Sequence, residues 1–391
     1  MTLRFPVERA EKRQALLHAV ESIRDVLVAG VNEGEELRTL PPTSVAALRD
    51  SGLFLLKAPT VLGGAEADPV TQLDVIEAVS YIDPAAGWCL FLGADTVGLC
   101  GAFLSDDAVA QIFPGDHVPT VAGTLMPGTA VPVPGGYRVT GRWSWGSGIR
   151  HAEWIFGNTL VARDGEGPPE RRFCLFPIAS VEIHDNWHVM GMRGTGSCDY
   201  SVTDLFVSEG FSYNLFSTEP LRGGALYRLG MPGYVVNVIG AFALGVGRRA
   251  LDTIIELAQS KRRGYGKKIS LVERNVFQRA VAESDVRLRA ARALMVEVLE
   301  KAWATVCAGR APEPVLQAEM RVAVTFAVNV ALEVTTSAFR YGGGTAIFLP
   351  HILQRCLRDM YTAASHQIVN DAVYEMYGQF LLGIPGADPM V

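Results

Sequence analysis

Residues 187–207 read WHVMGMRGTGSCDYSVTDLFV. Glycines crowd its first half, at Gly191, Gly194 and Gly196, and β-prone runs fill its second, Tyr200-Ser-Val-Thr and then Leu205-Phe-Val. Glycine lets the chain turn tightly, and the runs that follow are short, β-branched and aromatic, so the stretch reads as a turn feeding a strand. The same grammar extends outward over about 117–222. Pro and Gly punctuate Tyr137-Arg-Val-Thr, Trp154-Ile-Phe-Gly and Phe173-Cys-Leu-Phe at roughly ten-residue spacing, which predicts an antiparallel sheet or small barrel.

On either side the period changes to that of a helix. Leu16, Val20, Ile23 and Leu27 fall on one face, and Pro42-Thr43-Ser44 opens a second helix. Further helices are expected over 71–81, 85–104 and 106–113. From Gly223 onward long helices are expected near 234–260, 273–308, 314–340 and 352–381. Phe277, Val281, Leu288, Ala291, Met295 and Val298 keep a single stripe, as helices that pack into a bundle and into a partner subunit do. The predicted architecture is α+β: an N-terminal helical domain over 1–115, a central antiparallel β domain over 116–222 and a C-terminal four-helix bundle over 223–391.

The composition narrows the function. The chain has 391 residues, 49% hydrophobic and 19% charged, and a net charge of −6. That balance argues against nucleic acid as a partner. The cluster Lys261-Arg262-Arg263 with Lys267-Lys268 is too small for a duplex but suits one phosphate or pyrophosphate. No apolar run reaches the length of a bilayer span; the best, 234–247, is broken by Asn237 and glycines. The charged N-terminus does not read as a signal peptide, so a cytoplasmic protein with no membrane partner is expected. Six scattered cysteines without a CxxC pair or a His ladder read as free thiols, with no metal site. No phosphate-binding loop, zinc-protease helix or nucleophile elbow is present, and Gly245-Val-Gly247-Arg-Arg-Ala250 lies in a helical pattern without the strand a dinucleotide loop requires.

This α–β–α order resembles the acyl-CoA dehydrogenase family over nearly the whole chain. Three motifs carry the likeness in the right order: the 187–207 stretch, Arg262-Arg-Gly-Tyr-Gly-Lys, and Tyr341-Gly-Gly-Gly-Thr running to Gln354-Arg355-Cys-Leu-Arg358-Asp359. The resemblance implies that Arg262 grips the pyrophosphate of a flavin nucleotide across a subunit boundary. Gly343, Gly344 and Thr345 would form a close backbone turn against the cofactor. Gly141-Arg-Trp-Ser-Trp145-Gly-Ser147-Gly148 matches the place where the family lays a Trp and a hydroxyl against the flavin ring, so Trp145 and Ser147 are expected there. An aromatic face excludes water, and a hydroxyl suits a ring nitrogen whose protonation changes in turnover.

The dehydrogenase chemistry itself lacks its base. At the two positions where the family carries a catalytic Glu, this chain has Gln367 and Val235, and Ala122-Gly-Thr124 begins the segment that replaces the usual acyl-CoA-lining stretch. His366, seven residues after Asp359, resembles instead the flavin-dependent monooxygenases of this fold, the oxygenase halves of two-component aromatic hydroxylases. Gly87-Trp88 after Asp83-Pro84 matches them too. The resemblance implies reduced FMN or FAD delivered by a separate NAD(P)H-flavin reductase, molecular oxygen, a flavin C4a-hydroperoxide and a homotetramer. The substrate would be a small molecule, aromatic or a natural product. His366 would take a substrate proton or steady the oxygen adduct, with Ser147 assisting; Asp95, Thr96, Thr124 and His151 would line the substrate pocket. A CoA-thioester dehydrogenase and a catalytically silent flavin- or partner-binding member are the alternatives.

Overall fold

The computed structural model describes residues 5–161, 169–263 and 269–390. Helices α1 (Arg9–Ser22), α2 (Arg24–Leu37), α3 (Pro42–Asp50), α4 (Pro69–Ile82), α5 (Pro84–Phe103) and α6 (Asp106–Ile112) come first. The caps are legible: the Asp68 carboxylate accepts from the N–H groups of Val70 and Thr71, Asp83 accepts from that of Ala85, and a proline opens each helix. Helix α5 carries a single charged side chain, Asp95. By length and apolarity α5 and the stretch Pro314–Thr345 would each suffice to cross a membrane, contrary to the expectation that no run does. Burial accounts for α5: 94% of its apolar window lies inside the protein, and a helix surrounded by protein is apolar all round.

Strands β1 (Val121–Val133), β2 (Gly136–Gly146), β3 (Trp154–Val161), β4 (Glu170–Pro177), β5 (Glu182–His184), β6 (Cys198–Ser208) and β7 (Ser212–Asn214) form one sheet in the order β5-β6-β2-β1-β3-β4-β7. Five of the six pairings are antiparallel, as expected; β1 and β3 run parallel. The cause is local. After β2 returns along β1, the short segment 147–153 crosses the start of β1 and lays β3 on its other edge, in β1's own direction. The sheet has its own core around Trp143, which is fully buried, donates its indole N–H to the Asn158 carbonyl at 2.9 Å and stacks on Tyr200. Gly128, Gly141 and Gly157 leave room for that ring, since a Cβ on any of them would meet it at 2.5–2.8 Å.

The last part comprises α7 (Asn237–Ser260), the hairpin β8 (Arg262–Arg263) and β9 (Ile269–Ser270), α8 (Asn275–Cys307), α9 (Pro314–Gly342), α10 (Ile352–Ala364) and α11 (Ala372–Leu381). Helices α7 to α10 pack together, with Phe277, Leu288, Ala291, Met295 and Val298 of the α8 stripe buried, and α11 adds a fifth helix against α9. The single helix expected over 352–381 is interrupted: α10 ends at Ala364 and a short turn over 367–369 follows. Charged pairs tie the helical parts to one another. Arg292 reaches Asp74 and Glu77 on α4, and Arg9 bridges Asp68 and Glu300.

Candidate active site

The two motifs at 187–196 and 354–359 recognise each other. The Met192 N–H donates to Asp359 Oδ1 at 2.5 Å, and Arg358 donates to the Met190 carbonyl at 2.5 Å and to Glu35 at 2.6 Å. Gly191 lies so close to α10 that a Cβ there would stand 2.1 Å from the Arg358 carbonyl oxygen. Burial, with Glu35 and Asp83 nearby, raises the Asp359 carboxyl to about 7 against the lowering pull of the Met192 N–H. This lock fixes the 187–197 segment opposite the C-terminal end of α10.

Between them, α5, the near ends of β1 and β2, and the start of α7 line a cavity of about 430 Å³. Its wall is mostly apolar, with Trp88, Phe91, Leu92, Leu99, Phe156 and Phe173 prominent. A row of hydroxyls crosses one side. Thr195 donates to the Met192 carbonyl at 2.8 Å, Ser197 lies 2.6 Å from Thr195, and Ser147 lies 2.6 Å from Ser197. Each hydroxyl has one proton, so with Thr195 committed to the carbonyl, Ser197 donates to Thr195 and Ser147 donates to Ser197. The Trp88 indole N–H donates to Ser147 at 3.1 Å. Ser147 therefore faces the cavity with a lone pair, as an acceptor.

Trp145 reaches the same wall by breaking the strand rule. Two residues from buried Trp143, it belongs by alternation on the same face. Its φ of 65° and the register shift between Trp143 and Gly146 turn it out to the cavity instead, half-exposed. An aromatic face beside a hydroxyl acceptor is a wall that a flat ring with polar N–H edges, such as a flavin, fits.

On the opposite side, His366 opens the turn after α10 and lines the cavity. Its Nδ1 accepts from the Ile368 N–H at 3.3 Å, so the neutral ring carries its proton on Nε2. Burial alone pushes it down to about 4 from the ordinary 6.5, and the imidazole is neutral at pH 7. Its ring meets the Trp88 indole edge-on, 5.9 Å between centroids, so Trp88 stands between Ser147 and His366. Asp95 lines the cavity two turns further along α5 and pairs with buried Lys57 at 2.6 Å. Burial raises its carboxyl to about 6 although Lys57 opposes the shift.

Of the residues singled out in the sequence, His366, Ser147, Trp145, Asp95, Thr96 and Thr124 come together on this wall. The Thr96 hydroxyl bonds the Leu92 and Val121 carbonyls and ties α5 to β1. His151, expected in the pocket, is not among the lining residues: it sits behind the Ser147–Gly148 turn, its Nδ1 buried with no partner among the described residues and its ring pushed down to about 4 by burial and by Arg49. Gly343, Gly344 and Thr345 form a turn after α9 that does not line the cavity either; Lys261 donates to the Thr345 hydroxyl at 2.7 Å. The Arg262 side chain lies outside the described residues. Gln367 and Val235, where a dehydrogenase of the resembled family would carry its acid, both line the cavity, and Asp95 is the one carboxylate among the described lining residues. Sequence reasoning gave Trp88 only as a motif match and missed Lys57, Thr195 and Ser197. The serine lay in the quoted glycine stretch; nothing near Lys57 marks it, because its partner is 38 residues away.

Residues 237–371 match the family model described as acyl-CoA dehydrogenase, C-terminal domain. The chain is 30% identical to indole-3-acetate monooxygenase of Pseudomonas putida over 94% of each chain. It is 28% identical to the flavin-dependent monooxygenase, oxygenase subunit HsaA, of Mycobacterium tuberculosis, over 97% of this chain and 98% of that one. Among solved structures, XiaF from Streptomyces sp. in complex with FADH2 and glycerol superposes with a TM-score of 0.86 at 27% identity, covering 98% of both chains.

Proposed function

The chain belongs to the flavin-dependent monooxygenases that share the acyl-CoA dehydrogenase fold, and from that premise we propose that it oxygenates a small, flat, largely apolar aromatic molecule held in this cavity. As an oxygenase component it takes reduced flavin from a separate reductase. Substrate, oxygen and reduced flavin give hydroxylated substrate, water and oxidised flavin. The bound reduced flavin supplies the two electrons for this balance. Everything else falls to the protein.

One observation carries the reading: neutral His366 and the Ser147 row flank Trp88 on an apolar wall that has neither acid of a dehydrogenase. Ser147 presents a lone pair, which suits a ring N–H of reduced flavin, and Trp145 offers the aromatic face beside it. His366 presents Nε2–H. In that tautomer it steadies negative charge developing on oxygen, and proton removal is left to another group. The apolar wall excludes water; where water enters, the oxygen chemistry leaks to hydrogen peroxide.

Lys261 and Thr345, brought together at the exposed glycine turn, would hold the nucleotide tail of a flavin bound by a neighbouring copy, with Arg262 beside them. The assembly we infer is a homotetramer. The reductase's pyridine nucleotide points to the cytoplasm as its compartment. The absence of a cationic side chain among the described lining residues, apart from neutral His366, disfavours an anionic substrate such as the indole-3-acetate named for the P. putida relative.

The test loads the protein anaerobically with reduced FMN, and separately reduced FAD, then mixes it with 18O2 and a panel of phenols, indoles and fused aromatics. One labelled oxygen in a product supports the reading. Hydrogen peroxide alone from every substrate with both flavins would refute it.

A further inference from the structure

Lys57 is fully buried, and its Nζ donates to Asp95 Oδ1 and to the Tyr234 carbonyl, both at 2.6 Å. The ammonium also lies 4.1 Å above the Tyr234 ring. Lys57 is thus enclosed behind Asp95 and takes no part in the cavity wall. Asp95 does: its side chain is 5% exposed and faces the cavity. One of its oxygens belongs to Lys57. For Oδ2 there is no donor among the described residues, nor is that atom sealed from the cavity.

A buried ion pair is a poor stabiliser, because desolvation offsets most of the attraction. An unmet carboxylate oxygen on an otherwise apolar wall is costlier still. Both costs fall on one place, and a donor brought by a ligand relieves the second. The position is informative as well. Asp95 lies seven residues beyond Trp88 on α5, about 10 Å along the axis, so it stands two helical turns away from the residue that touches Ser147 and His366.

We propose that Asp95 is the specificity-determining residue of this cavity: its free oxygen accepts a hydrogen bond from a ring N–H or phenolic O–H, and the substrate is a neutral aromatic carrying such a donor. The inference rests on the oxygenase reading above. Lys57 acts as a positioning residue that holds Asp95 ionised and fixes which oxygen is free. The geometry orients the substrate with its donor toward Asp95 and the rest of the ring toward Trp88. Carboxylated aromatics are rejected by like charge, and donor-free isosteres leave Oδ2 unmet.

The experiment measures binding, without oxygen, to the full chain with and without reduced FMN. Indole is paired with 1-benzothiophene, and 2-naphthol with 2-fluoronaphthalene; each pair differs in the donor and little in shape. Wild type should prefer the donor member of at least one pair by roughly 10- to 100-fold, the range of a hydrogen bond to a charged acceptor. In Asp95→Asn, where the carbonyl stays with Lys57 and the amide N–H faces the cavity, that preference should collapse. The double variant Lys57→Met with Asp95→Leu guards against misfolding: it should lose the preference while still binding the donor-free member. Equal binding of both members of each pair by wild type, binding of none of the four, or a preference that survives both variants overturns the proposal. Donor-selective binding without 18O in any product would instead sink the oxygenase reading and leave Asp95's role intact.

Discussion

A histidine held neutral by burial answers differently to pH and to mutation than one that works as a base. Depression of His366 from 6.5 to about 4 favours its neutral form, so the stability it contributes is fully present above pH 6.5 and is lost as pH falls through 4. The pH profile of kcat/KM should therefore carry no inflection near 6.5 from this residue and one near 4. His366→Ala should retain reduced-flavin binding and lower kcat by roughly 10²- to 10³-fold, the usual effect of deleting one donor to a developing charge. His366→Gln separates the roles. An amide N–H donates but takes no proton at neutral pH, so Gln should recover at least about a factor of ten of the loss if donation is what matters. A Gln variant as slow as Ala, or a wild-type inflection at 6.5, would assign proton removal to His366 instead.

Elements meet here through motifs, and the lock between 187–196 and α10 can be opened from either side. A Cβ at Gly191 would overlap the Arg358 carbonyl, so Gly191→Ala should destabilise the fold by about 1–3 kcal/mol, read as a lower Tm. Because Met192 and Thr195 line the cavity, the same change should weaken reduced-flavin binding; a variant with wild-type Tm and affinity would mean the lock is unimportant. Asp359 provides a second handle. Its carboxyl is raised to about 7, so the stability it contributes is present at low pH and lost as pH rises through 7. Asp359→Asn keeps the acceptor for Met192 N–H without the titration, and should flatten the fall in Tm between pH 6 and 8.5. At this scale the sequence was readable where order is local. The glycine turn, the α8 stripe and the α–β–α order all follow from residues a few positions apart. What stayed hidden is non-local or strained: the parallel β1–β3 pairing made by the 147–153 crossover, the positive φ that turns Trp145 away from Trp143, the break at His366 inside an apparent long helix, and the distant Lys57–Asp95 pair.

The whole molecule leaves apolar surface that one copy cannot cover. Ile347, Phe348 and Leu349 are consecutive, 64–75% exposed, and follow the Gly343–Thr345 turn after one buried residue, Ala346. Leu381 and Leu382 at the end of α11 are similarly bare, and the apolar window around α9 is 56% buried where that of α5 is 94%. Contiguous exposed apolar residues of this kind mark association surfaces, and a bundle of long helices offers a self-complementary one. A homotetramer of the 42.2-kDa chain is the expected species in sedimentation equilibrium at micromolar concentration. Phe348→Asp with Leu349→Asp should shift it to smaller species. The neighbouring Lys261–Thr345 contact gives this a functional consequence. If the turn serves a flavin bound by an adjoining copy, dissociation should weaken reduced-flavin affinity while substrate binding, which depends on the cavity lined by a single chain, persists. A wild-type monomer would remove the basis for a shared site. A tetramer whose dissociation leaves flavin affinity untouched would return the whole cofactor site to one chain.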